Sequence, residues 1–111
     1  MTRTLPRAQI GKIVLLAKAI GSEPRLEMLQ AMRDSDGLAA AAGEVSEHGI
    51  CLMLLARTVG IAAPTALRHL DVLVDAGLCA KTTVRHGSRY TYYRRDEQAI
   101  AEFADTVTRH L

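Results

Sequence analysis

Apolar residues recur every three or four positions along most of the chain, and glycine, proline or short polar runs interrupt them. This spacing is typical of amphipathic helices. Two such stretches meet between residues 52 and 77, where Gly60 ends the first and Pro64 suits the first turn of the second. Their apolar stripes are Leu52, Leu55, Ala56 and Val59, then Ala66, Leu70 and Leu73. Two helices joined by so short a turn predict a helix-turn-helix.

A β-hairpin is predicted over residues 78–94 because polarity alternates there and β-branched and aromatic residues are frequent. Its strands run from Leu78 to Val84 and from Ser88 to Arg94, with His86-Gly87-Ser88 as the turn. Alternation places Tyr93 on the opposite face from Tyr90 and Tyr92, so at least one of these tyrosines is expected in the core. A hairpin after a helix-turn-helix predicts a winged helix-turn-helix, whose second helix can enter a DNA major groove.

Three further helices are predicted on the same grounds. The first covers residues 8–20, the second runs from Glu23 or Pro24 to about Arg33, and the last covers residues 96–111. Ser22 and Asp96 are suitable caps, because their side chains can accept hydrogen bonds from the first turn of a helix. The expected apolar faces are Ile10, Ile13, Val14, Ala17 and Ile20 in the first helix, Leu26, Leu29 and Met32 in the second, and Ile100, Phe103, Ala104, Val107 and Leu111 in the last.

Residues 34–49 lack this periodicity. They contain Asp-Ser-Asp-Gly, an alanine run and Gly43, which indicate either a mobile loop or a weak alanine helix that buries little. The predicted order of elements is therefore α-α-α-α-β-β-α, a mainly α (α+β) fold. With 111 residues, 49% of them hydrophobic, the chain is expected to form one domain over residues 1–111.

No apolar run approaches the roughly eighteen residues that a membrane span needs, and the start of the chain lacks the pattern of a signal peptide. Cys51 and Cys79 lie in segments predicted to be buried. That placement fits a reducing compartment better than a disulfide scaffold. We expect a cytoplasmic protein without a membrane partner or an intrachain disulfide.

Charge is unevenly distributed along the chain. Seven basic and two acidic residues between Arg57 and Arg95 give that stretch a net charge of +5, so the remainder carries −3 of the total of +2. The basic residues are Arg57, Arg68, Lys81, Arg85, Arg89, Arg94 and Arg95. A basic face on the helix-turn-helix and the hairpin suits a polyanion such as double-stranded DNA, although a solvated charged surface has the same composition.

Three motifs resemble those of ArsR/SmtB-type repressors. Residues 19–29, Ala-Ile-Gly-Ser-Glu-Pro-Arg-Leu-Glu-Met-Leu, are similar to the Leu-x-Asp-Pro-Thr-Arg-Leu-x-Ile-Leu signature. Residues 65–78 resemble Thr-Val-Ser-x-His-Leu-x-x-Leu-x-x-Ala-Gly-Leu, and residues 85–94 resemble the Gly-Arg-x-x-x-Tyr wing. The resemblance covers about residues 10–111. It implies a homodimeric winged-helix transcription factor whose first and last helices form the interface, with metal or another signal usually releasing DNA.

The predicted DNA-binding residues lie on the Pro64 to Ala76 helix and on the wing. They are Thr65, Leu67, Arg68, His69, Arg85, His86 and Arg89. Arg68 can make a bidentate contact to guanine, Leu67 either meets a thymine methyl or is structural, and His69 either anchors the helix or contacts a phosphate. The three wing residues are expected to grip phosphates or enter a minor groove. Family members usually carry Ser or Gln near Ala62, Ala63 and Leu67, so few direct base contacts to a promoter operator are expected.

Both metal sites that the resemblance implies are incomplete in this chain. Where relatives have Cys-x-Cys, the sequence reads Cys51-Leu52-Met53, and His48 with Cys51 would need a further ligand to hold zinc. In the last helix Asp96 or Glu97 and His110 match two ligands of the second site, whereas Ala99 replaces a histidine and the sequence stops before a glutamate. Doubled across a dimer, these donors predict at most a weak nickel or zinc site.

The sequence bears on three other classes of function: a redox sensor, an enzyme and a protein-interaction module. Cys51 with His48 nearby is a candidate redox sensor, or else a buried structural cysteine. Enzymatic activity is not expected, since the sequence shows no phosphate-binding loop, paired carboxylates or nucleophile with a base. The alternative to DNA binding is a winged-helix interaction module or co-regulator that needs a partner regulatory protein. Residues 34–49, longer than the equivalent turn in relatives, are either a binding patch for such a partner or a passive tether.

Overall fold

The computed structural model describes residues 5–86 and 88–111, and for His86, Ser88 and Arg89 it describes the backbone alone. Over this range the elements are α1 (Arg7–Ile20), α2 (Glu23–Arg33), β1 (Val45–Ser46), β2 (Gly49–Cys51), α3 (Leu52–Val59), α4 (Ala63–Asp75), β3 (Cys79–His86), β4 (Ser88–Arg95) and α5 (Glu97–His110). The predicted turn at Gly87 lies outside the described residues. The five predicted helices and the hairpin are present, and none of the described helices is long and apolar enough to cross a membrane.

The helix-turn-helix forms as the apolar spacing predicts. Gly60 ends α3 in the left-handed conformation, with φ 78°, and its N–H donates to the carbonyl of Ala56 at 2.9 Å. The predicted stripe of α4 is fully buried, and Leu54 and Leu55 of α3 pack in the same core. Both predicted caps also form, because Ser22 Oγ accepts from the N–H of Arg25 at 3.4 Å and Asp96 Oδ1 accepts from the N–H of Ala99 at 3.0 Å.

All the strands form one antiparallel sheet in the order β1-β2-β4-β3. The β3–β4 hairpin is the wing, and its register runs from Cys79 opposite Arg95 to His86 opposite Ser88. On the inner side of the hairpin, β2 pairs with β4, with Ile50 opposite Tyr93 and Cys51 opposite Tyr92. These hydrogen-bonded pairs therefore connect the base of the wing to the start of α3.

The interpretation of residues 34–49 as a loop or a weak alanine helix is wrong for the end of that segment. Val45–Ser46 is β1 and β2 begins at Gly49, so the order of elements is α-α-β-β-α-α-β-β-α. Four alanines add little helix stability on their own, whereas pairing with β4 satisfies the backbone polar groups of β2. The two strands are shorter than the window in which alternation can be recognised.

The prediction that Leu26, Leu29 and Met32 of α2 face inward is wrong for Leu26. Leu26 is 49% exposed, while Met28 and Ala31 are buried and Leu29 and Met32 pack at the margin of the core. Leu26 precedes Met28 by two positions, which places it about 200° away around the helix.

The prediction that at least one wing tyrosine lies in the core is confirmed, and two of them do. Tyr92 and Tyr93 are buried although their side chains leave opposite faces of β4. Tyr92 is covered by the segment before β1, where its hydroxyl donates to the carbonyl of Gly43.

Candidate nucleic-acid interface

Helix α4 has one buried and one exposed side. Ala66, Leu70 and Leu73 are 0% exposed against the core, whereas Leu67 is 40% exposed and Arg68 is also on the surface. Arg68 takes part in none of the ion pairs of the described residues. Its guanidinium is therefore available to a partner of opposite charge, and a fork of donors is the group that reads guanine in a major groove.

Thr65 and His69 are half-buried on α4. The ring of His69 is held from α2, where Arg25 Nη1 lies 2.9 Å from His69 Nδ1. Burial is the main cause that lowers the pKa of His69, and the nearby cations Arg25 and Arg68 lower it further. The ring is therefore neutral at neutral pH. Of the two predicted roles for His69, anchoring of the helix is the one for which a contact is observed.

The wing carries an exposed basic edge. Lys81, Arg85 and Arg94 are exposed, and the backbone register places Arg85 directly opposite Arg89. The side chains of His86 and Arg89, which the sequence predicts at the DNA, lie outside the described residues. The described cations are spread along both strands, so their charge extends along the hairpin.

Two of the seven basic residues between Arg57 and Arg95 form ion pairs within the protein. Arg57 forms a bidentate pair with Glu44, with Nη2 to Oε1 at 2.6 Å and Nη1 to Oε2 at 2.8 Å. Arg95 pairs with Glu97, with Nε to Oε2 at 3.0 Å. The net positive charge of the 57–95 stretch is therefore partly compensated by carboxylates on either side of it.

Glu44 is the buried charged residue of the described chain, at 6% exposure. The hydrogen bonds from Arg57, followed by one from the N–H of Ala41, lower the pKa of the Glu44 carboxyl to about 2. The same carboxylate raises the pKa of Arg57. Sequence reasoning missed this pair, because the partners are far apart in the chain and belong to no periodic pattern.

The predicted ligands in α5 are separated within one chain. Asp96 caps the helix and Glu97 pairs with Arg95, whereas His110 lies at the other end. A helix of 14 residues is about 20 Å long, so these donors cannot share an ion within one protomer.

The second predicted cluster is also dispersed. His48 Nε2 lies 3.5 Å from Glu47 Oε1, while Cys51 is 0% exposed and its thiol faces Glu44 Oε2 at 3.9 Å. Among the side chains that the structure describes, which do not include that of His86, no group of three His, Cys, Asp or Glu is arranged to hold a metal. Burial raises the pKa of the other thiol, Cys79, to about 12.

A known protein of similar sequence identifies the class of protein that carries this surface. The HTH-type transcriptional regulator YbzH of Bacillus subtilis (strain 168), itself uncharacterized, is 33% identical over 90 residues, which cover 79% of this chain and 87% of YbzH. No protein-family model matches the chain.

The fold is shared with several solved structures, two of which are regulators of transcription. One is the homodimeric winged helix-turn-helix DNA-binding domain Mb0332 of Mycobacterium bovis, a possible ArsR-family transcriptional regulator. Its TM-score is 0.60 at 22% identity, over 97% of this chain and 88% of that one. The other is the AntR antimony-specific transcriptional repressor, with a TM-score of 0.61 at 24% identity, over 96% of this chain and 84% of AntR.

The fold and its basic face thus define a DNA-binding winged helix-turn-helix protein. The chain belongs to the helix-turn-helix transcriptional regulators, which confirms the class of protein that its motifs predict. Its resemblance to ArsR/SmtB-type repressors agrees with the fold that it shares with Mb0332 and AntR. The prediction that it is not an enzyme is confirmed by this membership, since the relatives are transcriptional regulators.

Proposed function

We propose that the chain binds a promoter operator in the cytoplasm as a homodimer, with α4 in the major groove and the wing on the adjacent backbone. The observation that carries this proposal is the division of α4 into a fully buried stripe and an outward side with Arg68. A recognition helix needs both, because its inner side fixes its angle and its outer side meets the bases. Arg85 and Arg89 on the hairpin supply phosphate contacts, which set affinity more than sequence preference.

The dimer is supported by the apolar faces of the outer helices. In α1, Ile10 is 47% and Val14 is 46% exposed, and α5 has no buried residue at all. An apolar stripe on each of two neighbouring terminal helices is costly in water and is covered when two copies pair. Mb0332, which shares the fold, is a homodimer.

Any metal response is inferred to be weak. AntR is specific for antimony, yet in this chain the predicted nickel or zinc donors Asp96, Glu97 and His110 can meet only between protomers, and two of them already have partners. His48 and Cys51 remain a redox or metal candidate, although the buried thiol is poorly placed to react. A partner regulatory protein is then a further source of the signal.

The test starts from a duplex that the purified protein selects out of random sequences. Replacing Arg68 by Ala should weaken binding to this duplex by about 1–3 kcal/mol and relax its preference at one position. Arg89→Ala should weaken all sequences about equally and reduce the slope of log affinity against log salt by about one. Titrations at several salt concentrations measure both effects.

Arg33→Ala is the matched control, because it removes one exposed cation from α2, outside α4 and the wing. It should bind like the parent. If Arg68→Ala and Arg89→Ala also bind like the parent, the DNA-binding face has been misplaced. If no duplex is selected, the exposed Leu67 and Val72 of α4, 40% and 39% accessible, favour the alternative of a protein-interaction module.

A further inference from the structure

One guanidinium joins three helices at the back of the recognition helix. Arg25 of α2 donates from Nε to the carbonyl of Ala19 at 2.6 Å and from Nη2 to the carbonyl of Lys18 at 3.2 Å. Both carbonyls belong to the last turn of α1. The remaining side of the guanidinium reaches α4, where Nη1 lies 2.9 Å from His69 Nδ1.

Arg25 donates to three acceptors: the carbonyls of Lys18 and Ala19 and the Nδ1 atom of His69. The last carbonyls of a helix have no partner within it, and Gly21 after α1 has φ −79°, so it does not make the left-handed turn that usually caps them. Arg25 supplies the cap, and its charge is favourable at that end of the helix dipole. Because arginine only donates, His69 Nδ1 must accept, which places the proton of the neutral ring on Nε2.

We propose that Arg25 is a positioning residue for DNA recognition, which fixes α4 relative to α1 through its contact with His69. This inference rests on the proposed operator-binding dimer. In such a dimer α1 belongs to the interface and α4 reads the bases, so the α1-to-α4 geometry sets the spacing and angle of the two recognition helices. Half-site spacing in DNA has a fixed value of about 34–36 Å per turn, so a small error in this geometry costs specific binding.

The contact also depends on the protonation of His69. An imidazolium has no acceptor nitrogen, so protonation removes the hydrogen bond from Arg25. The charged groups acting on the ring are Arg25 of α2 and Arg68 of α4 itself, while α1 contributes the Lys18 and Ala19 carbonyls that hold Arg25. Both neighbours are cations, so no carboxylate among these groups offsets the additional charge.

The test compares substitutions that keep or remove one partner. His69→Asn keeps an acceptor oxygen close to the position of Nδ1, whereas His69→Leu removes it, and Arg25→Lys keeps the charge but loses the fork. With the duplex selected by the parent, at pH 8, Arg25→Lys and His69→Leu should each weaken binding about tenfold. The double variant should be no weaker than either single one, because both remove the same contact. His69→Asn should bind nearly like the parent.

Three controls separate positioning from general damage. Arg33→Lys makes the same substitution on α2 away from α4 and should have no effect. Binding to a scrambled duplex should be unchanged in Arg25→Lys, since no phosphate contact is lost. Thermal unfolding should show that each variant is folded at the temperature of the titration. Loss of affinity for both duplexes in equal measure would assign Arg25 to stability alone and overturn the inference.

Nitrogen NMR of the histidine rings gives an independent readout. In the parent, the neutral His69 ring should carry its proton on Nε2, and in Arg25→Lys this preference should weaken. A parent that selects no duplex overturns both the operator-binding dimer and this inference. A parent that selects one, with Arg25→Lys binding as tightly and His69→Leu adding its own independent loss, overturns the positioning role and leaves operator binding intact.

Discussion

At the scale of single residues, the ion pair between Glu44 and Arg57 joins a buried carboxylate to a half-exposed guanidinium. Its two short, parallel hydrogen bonds have the geometry in which arginine binds carboxylates most tightly. Arg57 Nη2 also donates to the carbonyl of Ala39 at 3.3 Å, and the N–H of Ala41 donates to Glu44 at 2.7 Å. The pair thus holds residues 39–44 against α3, although Ala39 to Gly43 are exposed and bury little apolar surface.

The ion pair between Glu44 and Arg57 predicts how the free energy of unfolding depends on pH. In the unfolded chain Glu44 takes up a proton near its ordinary pKa of 4.5, whereas in the folded chain it does so only at about 2. The stabilisation is therefore complete above pH 4.5 and is lost as the pH falls from there to about 2. Urea unfolding of the parent should show this loss, and Glu44→Gln should show a shallower pH dependence over the same window.

Glu27→Gln is the matched control, because it neutralises an exposed glutamate that is in none of the described ion pairs. Its pH profile should follow the parent. An unchanged profile for Glu44→Gln would mean that Arg57 does not stabilise the charged form of Glu44 in solution.

At the scale of elements, β1 and β2 convert a two-stranded wing into a four-stranded sheet. The close approach of β2 to β4 depends on Gly49, where a Cβ atom would lie 2.1 Å from the carbonyl oxygen of Tyr93. The φ of Gly49 is also positive, at 114°, which residues with a side chain rarely adopt. The absence of a side chain at this position therefore lets the strands pair.

Gly49→Ala should destabilise the protein by about 1–3 kcal/mol or more, because strain and a backbone clash act together. Gly43→Ala is the matched control, since Gly43 also has a positive φ, 81°, but no atom within 4 Å of the added Cβ. Denaturant midpoints of the two variants should separate these effects. Equal losses for both would show that the clash at Tyr93 is relieved at no cost.

The helices and the hairpin could be predicted because their apolar periods extend over eight residues or more. The strands β1 and β2, of two and three residues, are too short to carry such a period and form only because β4 is there to pair with. The exposed Arg68 could be read from its place opposite the buried stripe of α4. The partners of Arg25 and Arg57 could not, because they depend on how distant helices and turns meet.

At the scale of the whole molecule, the monomer is more extended than its length requires. Its Cα radius of gyration is 15.5 Å, against about 13 Å for a compact chain of this size. The longest extent is 56 Å and the other two are 24 Å. In the proposed dimer, a second copy would cover the exposed apolar residues of α1 and α5.

A dimer is therefore expected at micromolar concentration in sedimentation experiments. Val14→Asp places a charge on the 46%-exposed face of α1, which a monomer tolerates and a buried interface does not. This variant should sediment as a folded monomer and bind DNA weakly. Met53→Asp is the matched control, because Met53 is 50% exposed on α3, away from both outer helices. A monomeric parent, or a dimeric Val14→Asp, would contradict the proposed interface.

Metal binding also belongs to the whole molecule, since the donors of α5 can meet only across two protomers. Asp96 caps its helix and Glu97 pairs with Arg95, so His110 is the one predicted donor for which no hydrogen bond or ion pair is described. Nickel and zinc should therefore bind at micromolar affinity or weaker and change DNA binding little. Calorimetry of the free and the DNA-loaded dimer measures both quantities, and His110→Ala tests the donors of α5. Coupling between metal and DNA is reciprocal. A sub-nanomolar site lost in His110→Ala, with a tenfold shift on DNA loading or about 1.4 kcal/mol, would instead establish a metal sensor.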